Sequence, residues 1–180
     1  MAHRDRKLHQ RIWSLLGSFL HPKVLMHPLR LLHYYGYSHV IPRTEMKLGH
    51  RVRIAPNASF RNGAQIHLHD EVQIGEHTAL WGGREHGKII IGERTTFGPN
   101  CFITAADYGM AAHAPIVTQP MVERDVVIGA DCWIGTKAVI TAGVTLGEGC
   151  VIGAGSVVTK DIPAGAIAAG IPAKVLKYRK

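Results

Sequence analysis

The feature that most constrains this 180-residue chain is an aliphatic residue that recurs every six positions. In the second half of the chain each such residue is followed by Gly or Thr, and the series is Ile128, Ile134, Ile140, Leu146, Ile152 and Val158. An amphipathic helix is excluded, because its apolar stripe recurs every 3.6 residues. The period predicts very short strands separated by turns, in which three hexapeptides complete one coil of a parallel β-helix.

Earlier runs share the same register, and they are Leu48, Ile54, Phe60 and Ile66, then Leu68, Ile74 and Leu80, then Ile91, Phe97 and Ile103. Residues 18 apart are expected to stack one coil above another, about 4.8 Å away. Cys132 and Cys150 are 18 apart and stand two positions before an aliphatic residue. We expect both to point inward as small hydrophobic residues, rather than to serve as catalytic or disulfide-forming residues.

Two interruptions of the repeat predict loops that leave the coil outward. Five additional residues separate Leu80 from Ile91, and nineteen separate Ile103 from Ile128, which predicts loops at 81–90 and 104–125. Since Leu80 to Ile103 is one full coil, both loops leave the same corner. This corner is the candidate site, because functional groups favour loops on rigid scaffolds. Its candidate catalytic residues are His86, Asp107, Tyr108 and His113.

The ends of the chain differ from its body. Residues 1–45 lack the period and form a basic segment, with expected short helices near Trp13–Leu20 and Val24–Leu32. That segment either caps the open end of the coil or rests on an anionic membrane surface through residues 1–40. His21, His27, His33 and His39 are six apart, which scatters them around a helix and gives no metal site. The coil domain is expected at 46–173 and a short basic tail at 174–180.

Charge and cysteine content narrow the function classes. The net charge of +8 comes from residues 1–53, where ten Lys/Arg face two Asp/Glu, whereas residues 54–180 hold eleven of each. A broad nucleic-acid-binding face is therefore excluded. No apolar run reaches the length of a membrane span, and the apolar stretch 12–20 is broken by Gly17 and Ser18. An odd count of three cysteines favours a reducing compartment, so the expected address is cytoplasmic, with peripheral contact at the inner face of the membrane left open.

Three segments resemble the C-terminal signature of the hexapeptide-repeat acetyltransferases, and they are residues 131–136 (DCWIGT), 153–163 (GAGSVVTKDIP) and 168–175 (AAGIPAKV). The subgroup is that of galactoside and maltose O-acetyltransferases, and residues 81–83 (WGG) with 98–103 (GPNCFI) are similar to the colanic-acid or O-antigen type. The resemblance implies an all-β, left-handed parallel β-helix, a homotrimer, and acetyl-CoA bound between subunits, with no metal. Its coenzyme contacts would fall on Trp133, Thr136, Ala154, Thr159, Lys160, Lys174 and Lys177.

The chain departs from this family at the catalytic position. Family members carry a His shortly after the position of Ile103, and imidazole suits proton abstraction because it titrates near neutral pH. Here residues 104–109 read TAADYG, so Tyr108 stands where the His is expected. Three explanations stay open. His113 or His86 is the displaced base, Tyr108 aided by Asp107 orients the acceptor, or transferase activity is weakened or lost.

The expected function is acetyl-CoA-dependent O-acetylation of a sugar hydroxyl in cell-surface polysaccharide or glycan synthesis, by direct transfer in a ternary complex. No loop Cys or Ser has the neighbours that a nucleophile needs. Three alternatives stand beside it: sugar N-acetylation, a non-catalytic β-helix that binds or scaffolds, and a zinc hydratase that resembles γ-type carbonic anhydrases.

Overall fold

The six-residue period is realised as short parallel strands in a computed structural model that describes residues 8–180. The chain divides into two compact units, one ending at Tyr37 and one comprising Ser38–Lys180. Residues 1–7 of the predicted basic segment lie outside the described residues. Helices occupy the first unit and stacked strands dominate the second, so the predicted β-helix with an N-terminal helical segment is confirmed.

Two helices make up the described part of the first unit. Helix α1 spans Leu8–Leu20 and α2 spans Pro22–Tyr35. Pro22 suits the first turn of α2, because its missing N–H would have no intrahelical partner there. A π-helical turn, Gly36–Val40, and a short helix α3, Ile41–Glu45, follow in the sequence. None of the helices within residues 8–180 combines the length and apolarity that a membrane crossing requires.

The coil has three faces, and its strands are numbered in chain order. Face A consists of β1 (Lys47–Leu48), β4 (Ile66–Leu68), β7 (Ile89–Ile91), β12 (Val126–Ile128) and β15 (Thr145–Leu146). Face B consists of β2 (Arg53–Ile54), β5 (Gln73–Ile74), β8 (Thr96–Phe97), β13 (Trp133–Ile134), β16 (Val151–Ile152), β18 (Ala166–Gly170) and β19 (Ala173–Tyr178). Face C consists of β3 (Ser59–Arg61), β6 (Ala79–Trp81), β9 (Phe102–Thr104), β14 (Val139–Ile140) and β17 (Val157–Val158).

The predicted stacking interval holds where the repeat is uninterrupted. Ile128 pairs with Leu146 and Ile134 with Ile152, in each case 18 residues apart. The first coil is longer, since Leu48 pairs with Leu68 across 20 residues. A 3-10 turn at Gly63–Gln65 accommodates the two additional residues at one corner. The prediction of an 18-residue interval is therefore correct between β12 and β17. It is wrong for the first coil and for the last, where Ile152 pairs with Ala168 across 16 residues.

The apolar residues of the repeat form one continuous column inside the coil, except Leu48 in the first coil, which is 47% exposed. The largest fully buried side chains are Phe60, Ile66, Leu68, Leu80, Ile89, Ile91, Ile103, Ile128, Ile134, Ile140, Leu146 and Ile152. Burial of each contributes about 1.5–3 kcal/mol relative to exposure. Cys132 and Cys150 are buried free thiols, which confirms their prediction as inward-pointing small residues. Buried hydroxyls bridge neighbouring coils, as Thr95 Oγ1 does by donating to the Gly129 carbonyl at 2.8 Å.

Helix α3 packs on the first coil through Arg43. The Arg43 guanidinium lies over the Phe60 ring, 5.2 Å from its centroid, and donates to the carbonyls of Ala55, Pro56 and Ala58 at 2.9–3.0 Å. A Cβ at Gly63 would collide with the Pro42 carbonyl, so this close approach requires glycine. Arg43 thus supplies donors at the end of the stack, where no further coil provides them.

The residues predicted as a basic tail form a strand. β19 pairs antiparallel with β18, in contrast to the parallel pairing of the other strands in face B. Arg179 lies beyond it and donates to the Asp131 carboxylate at 2.9 Å and to the Gly149 carbonyl at 3.0 Å. This cation holds the end of the chain against the coil.

Replacing Arg43 with alanine is expected to lower the free energy of unfolding by about 2–3 kcal/mol, because charged hydrogen bonds to backbone carbonyls are lost. Arg51→Ala is the matched control, since Arg51 pairs with Glu71 on the exposed surface and such pairs contribute about 0–1 kcal/mol. Urea-induced unfolding measures both variants. Equal losses of stability in the two variants would show that Arg43 does not secure the end of the coil.

Candidate active site

Two loops leave the coil between face C and face A, one coil apart. The first follows β6 and returns at β7, and the second follows β9 and returns at β12. The longer loop has a stem of two antiparallel strands, β10 (Ala106–Tyr108) and β11 (Met121–Glu123). Between the loops lies a cavity of about 810 Å³, whose lining includes His86, Asp107 and Tyr108. The count of repeats therefore locates the shared corner correctly.

A buried carboxylate organises the shorter loop. Glu123, at the end of β11, accepts backbone N–H bonds from Arg84, Glu85, His86 and Gly87 at 2.6–3.2 Å. Its side chain is only 4% exposed. Desolvation raises the pKa of Glu123, but the four N–H donors together lower it by more, so the pKa falls from 4.5 to about 2. The carboxylate is therefore charged and stabilises a loop that has no regular secondary structure.

Glycines let the loop close around this carboxylate. A Cβ at Gly83 would collide with the Glu123 carboxylate, and one at Gly87 would lie 3.1 Å from the Glu123 Cβ. The Gly83 N–H also donates to the Gly87 carbonyl at 2.6 Å. Next along the chain, the Lys88 N–H donates to Asp125 Oδ1 at 2.7 Å. Both carboxylates of the returning segment thus fasten the shorter loop to the longer one.

His86 extends from this loop into the cavity. Its Nδ1 lies 3.5 Å from Glu123 Oε2, and its side chain is 70% exposed. It is the only imidazole among the described residues that line the cavity. Nδ1 is the ring nitrogen that faces the carboxylate, so the tautomer with a proton on Nδ1 would leave the lone pair of Nε2 available to accept a proton.

Asp107 and Tyr108 lie on the stem of the longer loop. Asp107 Oδ2 accepts a hydrogen bond from the Arg124 guanidinium at 3.0 Å, so its charge is paired across the stem. Tyr108 is 55% exposed and lines the same cavity. The stem therefore presents a phenol to the cavity and holds the neighbouring carboxylate in an ion pair.

His113 lies in the tip of the longer loop, between the two strands of its stem. It is exposed and is not among the residues that line the cavity. The Gln119 side chain braces this tip, because it donates to the carbonyls of Ala111 and Ala114 and accepts from the Ala111 N–H at 2.8–2.9 Å. His113 therefore lies outside the lining of this cavity, and its proximity to His86 stays a prediction.

An aromatic pair forms another wall of the cavity. Trp81 and Phe102 meet edge to face, with ring centroids 4.9 Å apart. The Arg61 guanidinium lies 3.9 Å from the Trp81 ring centroid, within the range of a cation–π interaction. The two aromatic rings can contact the apolar part of a small ligand, and the Arg61 guanidinium beside them can bind its polar groups.

The seven residues that the resemblance assigns to the coenzyme lie outside this cavity. Trp133 lies on β13 and the two lysines Lys174 and Lys177 lie on β19, and β16 and β18 separate these two strands of face B. Thr136 and Ala154 stack at the next corner, since the Gly155 N–H donates to the Thr136 carbonyl. Thr159 and Lys160 follow β17. The lysines, Trp133, Ala154 and Thr159 are exposed and accessible to a ligand.

The thiols are unsuited to nucleophilic catalysis. Burial raises the pKa of Cys132 to about 11 and also raises the pKa values of Cys101 and Cys150. All three side chains point into the coil. Within residues 8–180, no group of three or more His, Cys, Asp or Glu side chains could hold a metal ion.

Comparisons with known proteins agree with this architecture. The family model "Bacterial transferase hexapeptide (six repeats)" matches residues 125–160. A maltose O-acetyltransferase from Clostridium difficile 630 is 33% identical, with a TM-score of 0.64, over 78% of this chain and 73% of that chain. A Mycobacterium tuberculosis protein described as a probable acetyltransferase is 33% identical over 93% of this chain. This chain spans 62% of the length of that mycobacterial relative.

A third relative binds a sugar nucleotide. A point mutant of the N-acyltransferase AntD from Bacillus cereus, in complex with dTDP-4-amino-4,6-dideoxyglucose and coenzyme A, is 25% identical, with a TM-score of 0.58. The alignment covers 74% of this chain and 83% of that chain. The fold and the two loops define a hexapeptide-repeat β-helix protein. The chain belongs to the hexapeptide-repeat acetyltransferase family.

Sequence reasoning missed the role of Glu123. Its position five residues before Ile128 marks only the return of a long loop. The available signal was the glycine-rich shorter loop, whose backbone N–H groups must find an acceptor once the loop is closed. No spacing rule connects residues 84–87 to residue 123, because an intervening coil and a hairpin separate them.

The variant Glu123→Gln is expected to destabilise the folded conformation of the shorter loop. Because the pKa of Glu123 is depressed in the folded state, its contribution is present above pH 4.5 and is lost as the pH falls towards 2. At pH 7 the substitution is expected to lower the free energy of unfolding by about 3 kcal/mol, and this decrease should become smaller as the pH falls through this window. Hydrogen exchange at amides 84–87 and urea unfolding at pH 7 and pH 3 measure it.

Glu85→Gln is the control, since it removes a carboxylate from the same loop while the loop amides keep Glu123 as their acceptor. We expect exchange at amides 84–87 to stay slow in this variant. Unchanged exchange in Glu123→Gln would show that the Glu123 carboxylate does not hold the loop.

Proposed function

We propose that this chain is an acetyl-CoA-dependent O-acetyltransferase that acts on a sugar or glycan hydroxyl in the synthesis of a cell-surface polysaccharide. Family membership supports acetyl transfer, and the similarity to a maltose O-acetyltransferase supports a sugar hydroxyl as the acceptor. The relative that binds coenzyme A together with a sugar nucleotide supports a coenzyme A thioester as the donor. Transfer is direct, in a ternary complex, since the thiols are buried and have raised pKa values.

The observation that carries this proposal is the position of His86 beside Glu123 in the cavity between the two loops. The family His is replaced by Tyr108, and His86 supplies an imidazole from the neighbouring loop. The Glu123 carboxylate, 3.5 Å from Nδ1, favours the tautomer whose Nε2 accepts a proton. It also stabilises the imidazolium that forms during the reaction.

His86 acts first as general base and then as general acid. Its Nε2 takes the proton of the acceptor hydroxyl while the oxygen forms a bond to the thioester carbonyl carbon. The C–S bond then breaks, and His86 returns the proton to the departing sulfur, so the thiol leaves neutral. Tyr108 lines the same cavity and orients the acceptor through its phenol. Asp107 keeps the stem of the longer loop in place through Arg124.

Replacing His86 with alanine is expected to lower kcat/KM by about 10²–10⁴-fold, the usual contribution of general base catalysis. His113→Ala is the matched control, because His113 is exposed and lies outside the cavity lining. Thiol release from acetyl-CoA in the presence of a panel of sugars measures both variants. If His86→Ala keeps full activity and His113→Ala loses activity, the general base would be assigned to His113 in the longer loop.

The variant Tyr108→Phe tests whether the Tyr108 phenol orients the acceptor. If Tyr108 only orients the acceptor, we expect a higher KM for the sugar with kcat little changed. Acetyl-CoA binding without turnover on any acceptor would favour the non-catalytic alternative, a β-helix that binds or scaffolds.

We also infer a homotrimer with acetyl-CoA between neighbouring subunits. The coenzyme residues on face B and at the adjacent corners lie outside the cavity lining, so one chain does not gather them around the candidate base. A neighbouring copy would bring its own coenzyme residues alongside the cavity. Lys160, Lys174 and Lys177 would then meet the phosphates through charge-assisted hydrogen bonds. Light scattering tests the threefold mass.

The substitutions Lys174→Gln and Lys177→Gln are expected to raise the KM for acetyl-CoA roughly two- to fivefold each, as for exposed charge pairs, with kcat little changed. The effect should fall at high salt, because exposed charges are screened. Lys47→Gln, on β1 in the first coil, is the control. An equal rise in KM for Lys47→Gln would indicate a general loss of positive charge rather than a coenzyme site.

N-acylation of an amino sugar is the second candidate, favoured by the AntD relative. Paired acceptors that differ only in a hydroxyl or an amine at one carbon distinguish the two reactions. Higher kcat/KM on the amine would replace the O-acetyltransferase proposal.

A further inference from the structure

The described part of the first unit consists of two amphipathic helices with exposed apolar faces. At 100° per residue, Ile12, Leu15, Leu16 and Phe19 share one side of α1, within an arc of about 100°. Their side chains are between 46% and 67% exposed. The polar residues of the helix lie outside this arc, and they are His9, Gln10, Arg11, Ser14 and Ser18.

Helix α2 repeats this arrangement. Val24, Leu25, Leu29 and Leu32 lie within one arc of about 140°, and they are between 45% and 71% exposed. The other arc carries Lys23, His27 and Arg30, together with the apolar residues Met26 and Leu31. An exposed apolar surface of this extent, bordered by polar residues, marks a surface that contacts a partner or a membrane.

The charge of these helices selects the partner. Residues 6–44 contain no Asp or Glu. Helices α1 and α2 carry three cations, Arg11, Lys23 and Arg30. Four histidines lie in the helices or between them, and they are His9, His21, His27 and His33. A surface that is apolar on one side and cationic on the other complements anionic lipid headgroups above acyl chains. A second copy of this unit would carry the same positive charge and would be repelled.

Aromatic content and helix length agree with a position within the interface. Trp13 is 72% exposed and lies at the border of the apolar side of α1, as Trp side chains do at the headgroup level of membranes. The helices have 13 and 14 residues, which is too short to span a bilayer. A helix of this kind lies in the plane of the membrane surface, with its apolar side in the acyl region.

We propose that α1 and α2 dock this protein on an anionic lipid bilayer through their apolar faces. Arg11, Lys23 and Arg30 contact the headgroups. The acetyltransferase function is independent of this contact, so failure of one proposal leaves the other standing.

The whole 180-residue chain is tested by flotation with phosphatidylcholine vesicles, with and without phosphatidylglycerol, at low and at high salt. We expect flotation with the vesicles that contain phosphatidylglycerol, weakened by salt. Arg11→Gln should weaken it about fivefold, the effect of one cation near an anionic surface.

The decisive comparison changes the two sides of α1 without changing the net charge. Leu16→Gln with Phe19→Gln should reduce partitioning by about tenfold or more, because two apolar side chains no longer enter the acyl region. Ser14→Gln with Ser18→Gln, outside the apolar arc, should bind as the unchanged protein does.

Three outcomes would overturn the proposal. The unchanged protein does not float with anionic vesicles, or both double variants bind equally well. In the third, Leu16→Gln with Phe19→Gln leaves flotation unchanged and alters another property of the protein. A changed mass by light scattering would assign the apolar face to contact with a second copy. A lower Tm of the coil would assign the apolar face to capping of the coil.

Discussion

Each coil must pair its backbone with the coils on either side while its interior receives one aliphatic side chain per strand. This constraint leaves no interior space for additional residues, because stacked strands lie about 4.8 Å apart and the column of aliphatic residues is continuous. Residues beyond the repeat must therefore leave outward, between two strands whose positions are already determined by pairing. The two loops begin after β6 and β9, which are neighbours in face C, and so they meet at one corner.

The coil places the loops, but a carboxylate gives the shorter loop its shape. Glu123 lies on the returning strand of the longer loop and accepts N–H bonds from four residues of the shorter one. The resulting low pKa keeps it charged, and the charge lies beside the imidazole of His86. The same carboxylate thus holds the loop and orients the side chain proposed as the general base. A substitution that loosened the loop would therefore also displace the base.

Where a residue's role followed from its position in the repeat, it could be predicted from the chain alone. The inward positions of Cys132 and Cys150 and the shared corner of the two loops were of this kind. Arg43 was not, because an isolated arginine after a proline carries no sign that it will lie over Phe60 and bind three carbonyls. The sequence does not distinguish Arg179 from the other cations of the C-terminal segment, whereas the structure shows that it pairs with Asp131.

The sequence determined the β-helix, its interior and the corner at which the candidate site lies, because a six-residue period allows only one kind of strand and turn. The tertiary structure decided which side chains of the two loops meet there. It brought His86 and Tyr108 to the cavity and left His113 in the loop tip. Loop geometry depends on contacts between residues far apart in the chain, such as Glu123 with Gly87. Such contacts have no period, so only the folded molecule specifies them.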